Sequence, residues 1–98
     1  MSDPLKIFEK IDQDLLKLVT DTRKFALDEG ALPKKFKLLI VMALDAAHGA
    51  DQGVKSLARE VMQAGATKQE IAEALRVVLY VCGAGSVYTS AHGLKELF

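Results

Sequence analysis

The chain has 98 residues, with 13 Lys or Arg against 13 Asp or Glu, so its formal charge is zero; half of it is apolar. This length accommodates one domain, and the composition excludes a disordered or low-complexity chain. No global basic field draws in nucleic acid or an anionic membrane, and the single cysteine makes neither an internal disulfide nor a zinc site, so an intracellular, cytoplasmic protein is expected.

Met1-Ser2-Asp3-Pro4 has neither the basic nor the apolar region of a signal peptide. Asp3-Pro4 reads instead as a helix start, a capping carboxylate followed by proline in the first turn. Phe8, Ile11, Leu15, Leu18, Thr22 and Phe25 then step by three and four, the stripe of one helix that Glu29-Gly30 would end with glycine as left-handed cap. Such a helix is about 38 Å long, enough to span the domain or project from it. Pro33 starts a second helix. Its segment Leu38 to Leu44, the longest apolar run in the chain at seven residues, is far short of the roughly 20 that span a bilayer. No membrane association is expected. That segment is apolar around its full circumference and needs cover on every side, which points to a partner subunit.

Gly49 ends the second helix and Asp51 can cap a third, with Val54, Leu57, Ala58, Val61 and Met62 on its inner face and Gly65 as its stop. Thr67-Lys68-Gln69-Glu70 has the form of a capping box opening a fourth helix, with Ile71, Leu75, Val78 and Cys82 on one face. Gly83 and Gly85 break it, and Ser86 can cap a fifth that offers Val87, Tyr88, Ala91 and Leu94 for packing. The fold class expected is all-α, a single five-helix bundle over residues 1–98 with a long N-terminal helix over 1–30.

The order of signals from Pro33 onward carries a resemblance. Lys35-Phe36-Lys37-Leu38-Leu39 precedes an apolar helix, a second helix ends at Ala64-Gly65-Ala66-Thr67, and Glu70-Ile71-Ala72-Glu73-Ala74-Leu75 and a glycine break follow. This resembles the carboxymuconolactone decarboxylase family, which includes the alkylhydroperoxidase D-like proteins, over about two-thirds of the chain. The resemblance implies an all-helical subunit and a homo-oligomer, trimeric or hexameric. It also implies where redox chemistry would sit. Aligned on Ala64 to Thr67, the family's Cys-x-x-Cys pair falls at Ala50 and Gly53, its histidine at Leu57 and its glutamate at Leu38. None of the four is retained. A dithiol peroxidase needs a low-pKa thiolate and a resolving thiol, so that activity is expected to be absent or very weak. The decarboxylase branch places its histidine at the same Leu57 position. The resemblance therefore speaks to fold rather than to a particular reaction.

Three residues are candidates for chemistry. His48, at the end of the second helix, has Asp45 three residues back to orient it and could act as a general base given a cleft. Its bland alternative is a surface histidine at a helix C-terminus. Cys82 is a thiol whose stripe argues for a small buried hydrophobe. Tyr80 lies close to the glycine break and could line a pocket between the second, third and fourth helices. His92 and Tyr88 stand one turn apart and read as an interface or core edge; Glu73, in Glu70-x-x-Glu73-x-x-Arg76, reads as a solvated ion-pair face. No metal-ligand spacing and no phosphate loop occurs in the sequence, so neither metal nor cofactor is expected.

Three functions follow from these residues. One is a small-molecule enzyme, a lyase of the decarboxylase kind or an atypical peroxidase-related activity. The second is a non-catalytic helical oligomer that binds a small ligand or a protein partner. The third reads Val61 to Ile71 as a helix-turn-helix, whose exposed Glu70 and Glu73 would face phosphate, so DNA is the least favoured partner.

Overall fold

The computed structural model describes residues 3–98, and the regular structure among them is entirely helical. A 3-10 turn, Pro4–Ile7, leads into α1 (Phe8–Ile11) and α2 (Gln13–Leu27); α3 (Lys34–Ala47), α4 (Asp51–Gln63), α5 (Lys68–Cys82) and α6 (Ala84–Leu94) follow. The molecule measures 39 × 29 × 24 Å.

The expected long N-terminal helix is divided. Asp12 takes an extended conformation and turns its carboxylate on the Leu15 amide at 3.0 Å, so it caps α2 instead of continuing α1. Local side-chain capping competes with helix continuation at aspartate, and here it wins. α2 stops at Leu27, with Asp28 extended, so the positive-φ glycines are Gly49, Gly65 and Gly83 and do not include Gly30. α2 packs lightly. Leu27 is its one buried residue, Arg23 reaches Glu60 of α4 at 2.9 Å, and the apolar stripe leaves Leu18 and Phe25 exposed, Phe25 at 86%.

The core belongs to α3, α4 and α5. Leu38, Leu39, Met42 and Ala46 meet Val54, Leu57, Ala58 and Val61, with Ile71 and Val78 closing the cluster. Met62, assigned to that inner face from its spacing, is exposed. Ala50 rather than Asp51 is the cap of α4; Asp51 is its first residue. The capping box forms as its sequence implies: the Glu70 amide donates to Thr67 Oγ1 at 3.1 Å and the Thr67 amide donates to Glu70 Oε1 at 2.9 Å.

α6 keeps one of its expected packing residues, Leu94, against the core and reverses the rest. It starts directly after Gly83, so Gly85 lies inside the helix and Ser86 is not its cap. The buried residues are Ser86, Ser90 and Gly93, while Val87, Tyr88 and Ala91 point outward. The reason is distance. A Cβ on Gly93 would lie 2.7 Å from the Asp51 carbonyl oxygen and 2.9 Å from Val54 Cβ, so α6 sits on α4 too closely for any larger side chain. The buried hydroxyls bond within the helix, Ser86 Oγ to the Gly83 carbonyl and Ser90 Oγ to the Ser86 carbonyl, at 2.6 and 2.8 Å. The six α-helices thus keep the expected class and revise the count.

Candidate functional site

The four positions that the resemblance assigns to dithiol chemistry lie on α3, on α4 and at the cap of α4, and they are filled with other things. Leu38 and Leu57 are 2% and 8% exposed and belong to the core cluster, so hydrocarbon occupies the places of an acid and an imidazole. Ala50 is the α4 cap. At Gly53 the space for a side chain is taken: a Cβ there would stand 2.5 Å from Asp45 Oδ2 and 2.8 Å from Asp45 Cγ. Asp45, half-buried on α3, places its carboxylate beside the first turn of α4, where the positive end of the helix dipole favours it. Spacing alone assigned Asp45 to His48; the glycine eight residues on was the signal that it serves the neighbouring helix.

His48 is the C-cap of α3, and its amide donates to the Leu44 carbonyl at 3.0 Å. Cys82 ends α5, and Tyr80 lies one turn before Gly83. All three are exposed, Tyr80 at 90%. Cys82 is therefore not the buried hydrophobe its stripe suggested: the helix axis carries the stripe off the core in its last turn, and Val78 is its last buried member. His48 and Cys82 each stand at the C-terminal end of a helix, α3 and α5. Lys35 near the start of α3 pairs with Glu70 near the start of α5 at 3.0 Å, so the two packed helices begin close together. Tyr88 and His92 are exposed on α6, and Glu73 is exposed on α5.

Two carboxyl groups are held low by their partners. The Glu70 carboxyl is held below the usual carboxylate range, first by the Thr67 amide and then by the Lys35 ammonium. The Glu96 carboxyl is lowered by its pairing with Lys55.

A groove of about 590 Å³ lies between the N-terminal turn, α2 and α4, with Thr20, Arg23, Ser56 and Glu60 on its walls; a smaller one of about 240 Å³ lies between α5 and α6. Neither is lined by His48, Tyr80 or Cys82. No group of three or more His, Cys, Asp or Glu among the described residues is arranged to hold a metal ion. No helix among them is long and apolar enough to cross a membrane.

Large apolar side chains are exposed on α3, α5 and α6. α3 shows Phe36, Ile40 and Leu44, each four residues from the next; α5 shows Val77, Tyr80 and Val81; α6 shows Val87 and Tyr88. Side chains of this size are ordinarily inside, and a continuous group of them outside marks an interaction surface.

Comparison with known proteins agrees with this architecture. The family model described as "Carboxymuconolactone decarboxylase family" matches residues 13–96. The crystal structure of an apo carboxymuconolactone decarboxylase family protein from Legionella pneumophila is similar to this chain at a TM-score of 0.87 and 30% identity, over 93% of this chain and 81% of that one. No curated protein gives a significant match. With the match extending over nearly all of α2 to α6, and with the same fold in the Legionella protein, the chain belongs to the carboxymuconolactone decarboxylase family.

Proposed function

We propose that the chain works as a homo-oligomer, a trimer or hexamer, closed through the outward faces of α3, α5 and α6, and that it handles a small organic molecule at a subunit boundary without dithiol chemistry. One observation carries the assembly: α6 keeps Ser86, Ser90 and Gly93 inside, and α5 and α6 turn Val77, Tyr80, Val81, Val87 and Tyr88 outward. Covering a Val or Leu side chain contributes about 1.5–3 kcal/mol, so several of them on one face favour a second copy over water. Tyr80 is part of that face, and His48 and Cys82 end the helices α3 and α5 that contribute to it, where a second copy would turn an open surface into a cleft. His48 is the acid–base candidate there, with Cys82 and Tyr80 as wall residues, and the reaction class is that of a lyase or an atypical peroxidase-related enzyme acting in the cytoplasm.

Light scattering at two protein concentrations tests the assembly, and Tyr80→Glu tests the face. The variant is expected to shift mass toward the single chain while its helical circular dichroism is kept. An unchanged mass would contradict the assignment of the face. A second reading has its own support in Leu38 and Leu57, which put hydrocarbon where the family's proton-handling groups would be. In that reading the assembly binds a ligand and does not turn it over. His48→Ala separates the two: turnover falls by two or more orders of magnitude if the histidine is the base, on the order of general acid–base contributions, and assembly and binding persist unchanged if it is not.

A further inference from the structure

The groove between α5 and α6 has a composition that the dithiol positions and the outward faces do not explain. Its floor is Ile71 and Leu75 of α5 and Leu94 of α6, its rim is Ala72, and Phe98 stands across one end. The one charged residue on its wall is Lys68, whose ammonium lies 5.1 Å from the centre of the Phe98 ring. Lys68 is in no ion pair among the described residues; Glu70 pairs with Lys35 and Glu96 with Lys55. The groove is thus an apolar slot with one cationic side chain at its mouth.

From this geometry we propose that the groove is a binding site for a small aromatic monocarboxylate, with the ring in the slot against Phe98 and the carboxylate on Lys68. The volume fits: at about 240 Å³ the groove exceeds the roughly 150 Å³ cavity that accepts a benzene ring, and leaves room for a short acidic arm. The walls fit too, since an aliphatic floor and an aromatic end take an aryl group by area burial and ring contact. A single ammonium matches a single carboxylate. A phosphate or a dicarboxylate would need more donors than the wall offers. Phe98 is half-exposed, so the ring can move aside to admit a ligand.

The probe is 4-fluorophenylacetate, with 4-fluorophenylacetamide as its uncharged counterpart, titrated into the full-length assembly and followed by methyl NMR. The acid is expected to shift the methyl signals of Ile71, Leu75 and Leu94, and to bind about fivefold tighter than the amide, the scale of an exposed charge pair. Lys68→Gln is expected to remove that preference while the amide's affinity holds. Ala72→Phe, on an exposed rim position, is expected to fill the slot and abolish the shifts for both probes without changing the fold. Equal binding of acid and amide to the unaltered protein would overturn the proposal, as would shifts confined to other methyl groups. Absence of binding because a second copy covers the groove would overturn it equally.

Discussion

Asp45 and Gly53 are the residues through which this chain departs most concretely from a dithiol enzyme. The glycine is not a vacant position, because the carboxylate of α3 already fills the volume in front of it. Restoring two cysteines with Ala50→Cys and Gly53→Cys is therefore expected to leave peroxide turnover at background, since Asp45 crowds the second thiol and Leu57 and Leu38 supply no proton relay. Turnover above that of the unaltered protein in a coupled peroxidase assay would show that the carboxylate yields and the relay is dispensable. The best-defined polar residue is Glu70, whose lowered pKa makes a directional statement about acid. A carboxyl with a folded-state pKa below its ordinary 4.5 contributes stability that is complete above that value and is lost as pH falls through the folded value. Tm is thus expected to fall below about pH 4.5. Glu70→Gln keeps a side chain that can serve the capping box but cannot titrate, and it is expected to flatten the fall. A Tm profile that superimposes on the unaltered protein's would refute that. Thr67→Ala, which removes the reciprocal bond to the Glu70 amide, is expected to cost about 1 kcal/mol in urea denaturation.

Among the elements, α6 gives the sharpest expectation. Gly93→Ala would place a methyl against the fixed Asp51 carbonyl and Val54, forcing α4 and α6 apart at about 1–3 kcal/mol. Gly85, in the same helix, meets nothing, and Gly85→Ala is expected to stabilise by about 0.4–1 kcal/mol. Equal effects of the two changes in chemical denaturation would contradict the close crossing of α4 and α6. The pair also shows what the sequence could and could not disclose. The capping box and the glycine stops at Gly49, Gly65 and Gly83 were legible because each depends on residues within one turn. The start of α2 at Asp12 was equally local, but its carboxylate falls among other polar residues of an apparently continuous stripe, and nothing marks it as a cap. Of the inward face of α6 only Leu94 was legible. Hydropathy selects Val87 and Tyr88 as core, and only the approach of Val54 from another helix dictates that serine and glycine lie inside instead. The candidate site divides in the same way. The missing cysteine pair was readable from the order of signals; the exposure of Cys82 depends on where the α5 axis leaves the core, and the Lys68–Phe98 groove joins residues thirty positions apart.

At the scale of the whole molecule, the distribution of large side chains decides the reading. A chain that buries Ser90 and Gly93 while exposing Tyr80, Val81 and Tyr88 has an outer face resembling the inside of a larger object. The apolar circumference of α3 pointed the same way: its inner side is the core, and Phe36, Ile40 and Leu44 lie on the outer side. The family fold, the displaced dithiol site and the proposed ligand handling all bear on one question, whether these faces meet in a second copy. Native mass by light scattering, measured for the unaltered chain and for Tyr80→Glu, answers it most directly. The expected result is a trimer or hexamer whose mass does not change with concentration, and a lower mass in the variant. A unaltered chain that scatters as a monomer at both concentrations would contradict the account.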